Sequence, residues 1–198
     1  MKAIKIAKWF LSSNPSLRNE YNDGNTKLNE LLYYSNLMSY ALKGENLIDE
    51  PFEKGNNGPI IREIYNDLDY TNNLDEDIKD KEILQILHII NFVYDDLSAR
   101  QLSEENYKSD VWQGVEKNKY IDFSNIDEKE KKLMLILYMT YADFDFQNLV
   151  TKKLGGNKFY YDKRDIQLTD ELISYLEGLP SFSEPMFLEI VNGELVFS

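Results

Sequence analysis

The chain has 198 residues, no cysteine and a formal net charge of -13. Without cysteine it can form no disulfide and offers no thiolate to a metal ion, and its acidic balance repels phosphate backbones, which disfavours direct nucleic-acid binding. Its composition is that of a soluble globular protein, and no apolar run approaches the roughly 20 residues that span a bilayer, so we expect a cytoplasmic protein without membrane contact.

The N-terminal residues form the first predicted helix. Its apolar face at helical spacing consists of Ala3, Ile4, Ala7, Phe10 and Leu11. The helix is expected to stop before Asn14-Pro15.

Residues 25–68 have the strongest helical pattern. Leu28, Leu31 and Leu32 recur with Met38 and Leu42 at spacings of three and four, which places them along one helix face. Gly44 follows the last patterned residue, where a left-handed stop is least costly without a Cβ.

A short extended link and a second helix follow. Gly58-Pro59 is expected to open this helix, because the missing N–H of proline has no partner in a first helical turn. Ile61, Ile64 and Leu68 supply its buried stripe.

The first of these helices also has a second apolar side. Tyr33, Leu37 and Tyr40 cluster nearly opposite its main stripe. Two interpretations are open: other helices cover this side, or it is a patch that binds a partner.

Two further elements follow before residue 115. Residues 81–97 form a widely apolar helix, as is typical of a central core helix, and it carries the only histidine, His88, which lacks ligand-type neighbours. In residues 97–115, Ser98 or Ser103 can cap a short helix. Trp112 is expected to be a core anchor rather than a ligand platform.

Three ordered motifs within residues 4–115 resemble the Panacea-type antitoxin domain, also met as a phage-associated domain. They are KLNELLYY, the loop and helix PFEKGNNGPIIREIY, and LSARQLSEENYKSDVW. In the third motif Tyr107 stands where the family has His and Val111 where it has Pro, while the spacing from Leu102 to Trp112 is kept.

The resemblance implies a non-enzymatic protein that neutralises a co-encoded toxin by protein–protein binding, with a prophage as its source. The acidic charge would suit a basic toxin. The hypothetical partner-binding residues are Tyr33, Leu37, Tyr40, Tyr65, Tyr107 and Trp112. Direct inhibition and delivery of the toxin to a protease stay open, as does the oligomeric state.

Residues 127–150 are interpreted as one long helix with an apolar centre. Asp143 and Asp145 alternate with Phe144 and Phe146 near its end. Two carboxylates could serve acid–base chemistry or hold a cation, but the favoured interpretation is a solvated helix end.

The C-terminal residues mix strand and helix signals. FYYD indicates a short strand, Thr169 opens a helix that ends at Gly178, and Asn192-Gly193 predicts a β-hairpin because both residues readily adopt positive φ. The predicted class is therefore mainly α: a compact multi-helix domain with a small C-terminal β-hairpin. Residues 1–120 are the family-like helical part, and residues 121–198 are a helical extension and hairpin packed on it as one structural unit.

No phosphate-binding glycine loop, nucleophile elbow or Cys/His pair is present in the sequence. We therefore expect no catalytic residues, no cofactor and no metal. Two alternatives to the antitoxin hypothesis are a phage-associated regulatory or protease-adaptor protein and, less favoured, a carboxylate-based enzyme.

Overall fold

The computed structural model describes residues 1–18, 23–66 and 78–198. The chain divides into two compact units, Met1–Asp143 and Phe144–Ser198. Leu68 of the second predicted helix stripe lies outside the described residues.

In its described residues, the first unit contains helices and one very short antiparallel pair of strands. Its helices are α1 (Ala3–Ser13), α2 (Asp23–Lys43), α3 (Arg62–Asn66), α4 (Lys81–Tyr94), α5 (Ala99–Asn106), α6 (Asp110–Gln113) and α7 (Glu128–Tyr141). The strands are β1 (Glu53–Lys54) and β2 (Pro59–Ile60). Single 3-10 turns span Pro15–Arg18 and Phe123–Asn125.

Helix α2 is the centre of this unit, and it contacts α1, α3, α4, α5 and α7. Its second apolar side is covered: Tyr33 and Leu37 are fully buried and Tyr40 is half-buried. The Tyr33 ring packs against the rings of Phe52 and Phe123, with centroid distances of 5.9 and 5.3 Å. The helix ends as predicted at Gly44, whose φ is +72° and whose N–H donates to the Tyr40 carbonyl.

The predicted start of the second helix is wrong. Pro59 lies in β2, where it pairs with Lys54, and α3 begins only at Arg62. The Ile61 N–H donates to Asn29 Oδ1 at 2.8 Å, which holds this segment to α2 before the helix begins. The Gly58-Pro59 pair alone predicted the start of the helix three residues too early. The hydrogen bond from Ile61 to Asn29 holds the intervening residues outside the helix.

Side-chain caps fix the starts of the later helices of this unit. Asp80 accepts hydrogen bonds from two backbone N–H groups of α4, Ser98 forms a full capping box with Gln101 on α5, and Asp127 caps α7. The half-buried His88 packs edge-on against Trp9, at 4.9 Å between ring centroids.

The second unit is built on a four-stranded sheet in the order β3-β4-β5-β6. The strands are β3 (Leu149–Leu154), β4 (Asn157–Asp162), β5 (Met186–Val191) and β6 (Glu194–Phe197). The β3–β4 and β5–β6 pairs are antiparallel, whereas β4 and β5 are parallel, with Phe159 opposite Met186.

Helix α8 (Asp170–Glu177) provides the crossover that a parallel pair requires. It starts at the predicted cap Thr169, ends at Gly178, and packs Leu176 into a core with Phe159 and Leu188. The predicted strand at FYYD is confirmed as part of β4. The predicted hairpin at Asn192-Gly193 is confirmed as β5–β6, with φ values of +54° and +85° at the turn.

The predicted mainly α class is wrong. About half of the chain is helical, and a four-stranded sheet stands beside the helices. The long helix predicted for residues 127–150 ends at Tyr141, and residues 149–154 form β3 instead. Gly155 and Gly156 both adopt positive φ and form the hairpin turn that folds β3 back onto β4.

None of the helices described within residues 1–18, 23–66 and 78–198 is long and apolar enough to cross a membrane.

The burial of Leu37 gives a direct stability test. Leu37→Asp is expected to lower the free energy of unfolding by several kcal/mol, because the new carboxylate would be enclosed without a partner. Leu37→Met keeps the volume and should cost less than about 1.5 kcal/mol. Urea titrations of both variants measure the difference; equal stabilities would show that the side chain reaches solvent.

Candidate functional site

Three segments of the chain meet around the turn between β1 and β2. We call this turn loop 55–58; it consists of Gly55, Asn56, Asn57 and Gly58. Helix α5 reaches the loop through the Ser103 hydroxyl, and helix α2 approaches it with the carboxyl group of Glu30.

Glu30 is a fully buried carboxyl group on α2. Its Oε1 lies 2.9 Å from the Ser103 hydroxyl, and its Oε2 accepts a hydrogen bond from the Asn106 amide. Both partners lie on α5, one turn apart. Burial raises the pKa of Glu30 from 4.5 to about 8, because a carboxylate is poorly solvated there; the two hydrogen bonds only partly counter this effect.

The proton count around Ser103 fits a neutral Glu30. The Ser103 hydroxyl also contacts the carbonyl oxygen of Asn57, and that oxygen can only accept. A hydroxyl has a single proton, so it can donate either to Asn57 or to Glu30. When Glu30 is protonated, it donates to Ser103 and Ser103 donates to Asn57, so both contacts of the Ser103 hydroxyl are hydrogen bonds.

Loop 55–58 approaches Glu30 so closely that only glycine fits at position 58. Gly58 has φ +144°, and a Cβ there would collide with Glu30 Oε1. The Gly55 N–H donates to the Gly58 carbonyl at 3.0 Å and closes the turn. The loop is therefore held both by its own backbone and by the buried acid.

Charged side chains fix the two ends of the loop. The carboxylate of Glu53, before the loop, accepts two 2.6 Å hydrogen bonds from the guanidinium of Arg62, after it. Lys54 donates to the carbonyls of Trp112 and Val115, both at 2.8 Å, and its ammonium lies 5.0 Å from the centre of the Trp112 ring. Trp112 is thus a buried support for the loop.

Two tyrosines reach solvent beside the loop. Tyr107 is 48% exposed, and its hydroxyl donates to the Asn56 carbonyl at 3.2 Å. Tyr65 is 41% exposed and lines an open cavity of about 190 Å³ together with loop 55–58, Arg62 and Asn118. The cavity wall is uncharged apart from Arg62 and includes all four residues of the loop.

The structure separates the six hypothetical partner-binding residues into two groups. Tyr33, Leu37 and Trp112 are buried and Tyr40 is half-buried, whereas Tyr65 and Tyr107 are exposed beside loop 55–58. Sequence reasoning missed Glu30, Ser103 and Asn106. One signal was available for Glu30: at 100° per residue this carboxyl group falls beside Leu37 on the second apolar side of the helix, where a charged residue is unusual if that side is buried.

A larger cavity of about 330 Å³ lies within the second unit. Its lining includes Asp145, Asp162, Asp165 and Glu189. Arg164 lies 3.0 Å from Asp145 and 2.5 Å from Asp162 and neutralises part of this charge. Asp145 also accepts a hydrogen bond from Asn148, so this carboxylate, one of the two considered for acid–base chemistry, is held in an ion pair. No group of three or more potential metal ligands occurs within the described ranges.

Comparison with known protein families identifies the family of the chain. The family model described as antitoxin SocA-like, Panacea domain matches residues 28–154, a stretch that contains most of α2 together with loop 55–58 and α5. The chain belongs to this family, and the predicted resemblance is confirmed. No curated protein and no solved structure matches the chain.

The buried acid predicts an unusual pH dependence. Its folded-state pKa of about 8 lies above the unfolded value of 4.5, so between these values the native state binds more protons than the unfolded chain. The contribution of Glu30 to stability is therefore complete below about pH 4.5 and is lost as the pH rises towards 8, on the order of a few kcal/mol in all.

Glu30→Gln should remove this dependence, because an amide can donate to Ser103 and accept from Asn106 at every pH. Urea unfolding of both proteins between pH 4.5 and 8.5 measures it; the gap between the two curves should shift in favour of the Gln variant as the pH rises. Glu30→Ala is the control and should be destabilised at every pH, because it leaves a cavity and unpaired groups. Parallel curves for wild type and Glu30→Gln would contradict a raised pKa.

Proposed function

We propose that this protein neutralises a toxin encoded beside it by binding the toxin directly, in the cytoplasm and without catalysis of its own. Membership of the antitoxin-like family supports this proposal. The net charge of -13 favours a basic toxin, since complementary potentials speed encounter and disfavour wrong partners. The same charge disfavours nucleic acid as the direct target.

We further propose that the toxin binds the surface formed by Tyr65, Tyr107 and loop 55–58. The observation that carries this assignment is the exposure of two tyrosine rings beside a loop whose position is fixed by a hydrogen bond from Ser103. Tyrosine is enriched among residues that dominate binding energy, because it offers a large ring and a hydroxyl with few rotatable bonds.

Rigidity of the loop strengthens the proposal. Loop 55–58 is bound to α5 through Ser103 and to Tyr107 through the Asn56 carbonyl, and the Glu53–Arg62 ion pair joins its flanks. A surface that is already ordered loses little conformational entropy on binding. The exposed residues Asn56 and Asn57 can then contribute hydrogen bonds to a partner through their side-chain amides at low cost.

Co-expression with the adjacent gene tests the function itself. Growth arrest by the neighbouring product alone, relieved when this chain is present, is the expected result. A neighbour that proves harmless in several hosts would remove the main support for an antitoxin role.

Alanine variants of the two exposed tyrosines test the surface. Tyr65→Ala and Tyr107→Ala should each weaken binding of the purified toxin by roughly tenfold or more, as measured by calorimetry, with little change in melting temperature. Tyr175→Ala is the matched control, because Tyr175 is similarly exposed but lies in the second unit, and it should bind normally. Unchanged affinity in both site variants would place the interface elsewhere.

A further inference from the structure

Helix α7 exposes an apolar stripe on the side away from the core. Met134 is buried and α7 contacts α2 and α4, whereas Leu133, Ile136 and Met139 are 51%, 50% and 76% exposed. These three residues are spaced three apart and line one side of a helix of about 21 Å. Exposed apolar side chains grouped in this way mark an interaction surface more often than scattered ones do.

Charged residues of opposite sign mark the two ends of the stripe. Lys129 and Lys132 lie at its start, and Asp143 lies just past its end, after Ala142, which keeps helical dihedral angles. All are exposed, and at 100° per residue they fall within about 60° of Ile136 around the helix axis. Within the described part of the chain none of the three forms a salt bridge.

The stripe has positive residues at its start and a negative residue at its end, so it is complementary to a second copy that runs in the opposite direction. When two copies of α7 lie antiparallel about a two-fold axis at Ile136, each residue faces the one equally far on the other side of that position. Lys129 then faces Asp143, Leu133 faces Met139, and Ile136 faces its own copy. Charge meets opposite charge at both ends and apolar side chains meet in the middle, as a two-fold interface requires.

We propose that the occupant of this stripe is a second copy of the chain, and that the protein forms a two-fold dimer through antiparallel α7 helices. A single helix pair buries less than the roughly 1,200 Å² of a standard interface, so the dimer is reversible, with a dissociation constant in the micromolar range. Its surface is separate from the one formed by Tyr65, Tyr107 and loop 55–58, so the dimer does not depend on the proposed function.

Sedimentation of the full chain over roughly 1 to 300 µM tests self-association. A shift from monomer to dimer across this range is expected; a monomer at every concentration would overturn the proposal.

Charge reversals then test the orientation. Lys129→Asp and Asp143→Lys should each weaken the dimer by roughly tenfold, because each places two like-charged pairs in the interface. Both changes favour the helix dipole, so circular dichroism and melting temperature should stay unchanged. The double variant should recover the dimer, and an equimolar mixture of the two single variants should form heterodimers. An unchanged dissociation constant in both single variants would exclude the α7 interface.

The absence of native cysteine allows a clean cross-linking test. Ile136→Cys lies on the proposed two-fold axis and should form an intermolecular disulfide rapidly under mild oxidation. Lys117→Cys is equally exposed to solvent but lies before α7, and it should cross-link slowly. Equal rates for the two variants would overturn the proposed axis.

Discussion

A single buried carboxyl group joins the parts of the chain on which the candidate site depends. Glu30 lies on α2 and is fully buried, and its two carboxyl oxygens contact Ser103 and Asn106 of α5. The Ser103 hydroxyl also contacts the backbone carbonyl of Asn57. An isolated carboxylate is too poorly solvated to remain charged in such a place. Protonation removes the charge of Glu30 and lets it donate a hydrogen bond to the Ser103 hydroxyl. The proton of that hydroxyl is then available for the Asn57 carbonyl of the loop.

The site is therefore a surface built on a polar network inside an apolar helix bundle. Buried polar groups without hydrogen-bond partners lower stability relative to an apolar core. Here the network of Glu30, Ser103 and Asn106 positions loop 55–58, which has little apolar content of its own. Gly58 permits the close approach, Lys54 and Arg62 hold the flanks, and Tyr65 and Tyr107 are exposed beside the loop. Glu30 itself is fully buried and supports this surface from inside the first unit.

The two exposed regions of the first unit differ in chemistry. The surface beside loop 55–58 is aromatic and polar, with backbone groups available for hydrogen bonds. The outer face of α7 is aliphatic, with charges only at its ends. Aromatic and polar surfaces are typical of contacts between different proteins, whereas a self-complementary aliphatic stripe is typical of contacts between copies.

Local patterns in the sequence were sufficient for several elements. The start and end of α8, the left-handed stop at Gly44 and the β5–β6 hairpin each follow from residues close together in the chain. The family was also evident from the ordered motifs, and the matching family model covers residues 28–154. Such features depend on capping, turn geometry and short-range spacing, which a sequence displays directly.

Only the tertiary structure decided the remaining features, because each depends on pairing between distant residues. The apolar spacing in residues 149–154 is compatible with a helix or a strand, and pairing with β4 makes this segment a strand. The sheet then continues from β4 to β5, a parallel pair connected through α8. The start of α3 is set by a hydrogen bond to Asn29. Residue type alone could not distinguish the buried Tyr33 from the exposed Tyr107. Phe52 and Phe123 enclose the Tyr33 ring, whereas the Tyr107 ring is in contact with water. The sequence by itself determined the family and the local elements; long-range packing decided the sheet, the buried acid and which tyrosines a partner can reach.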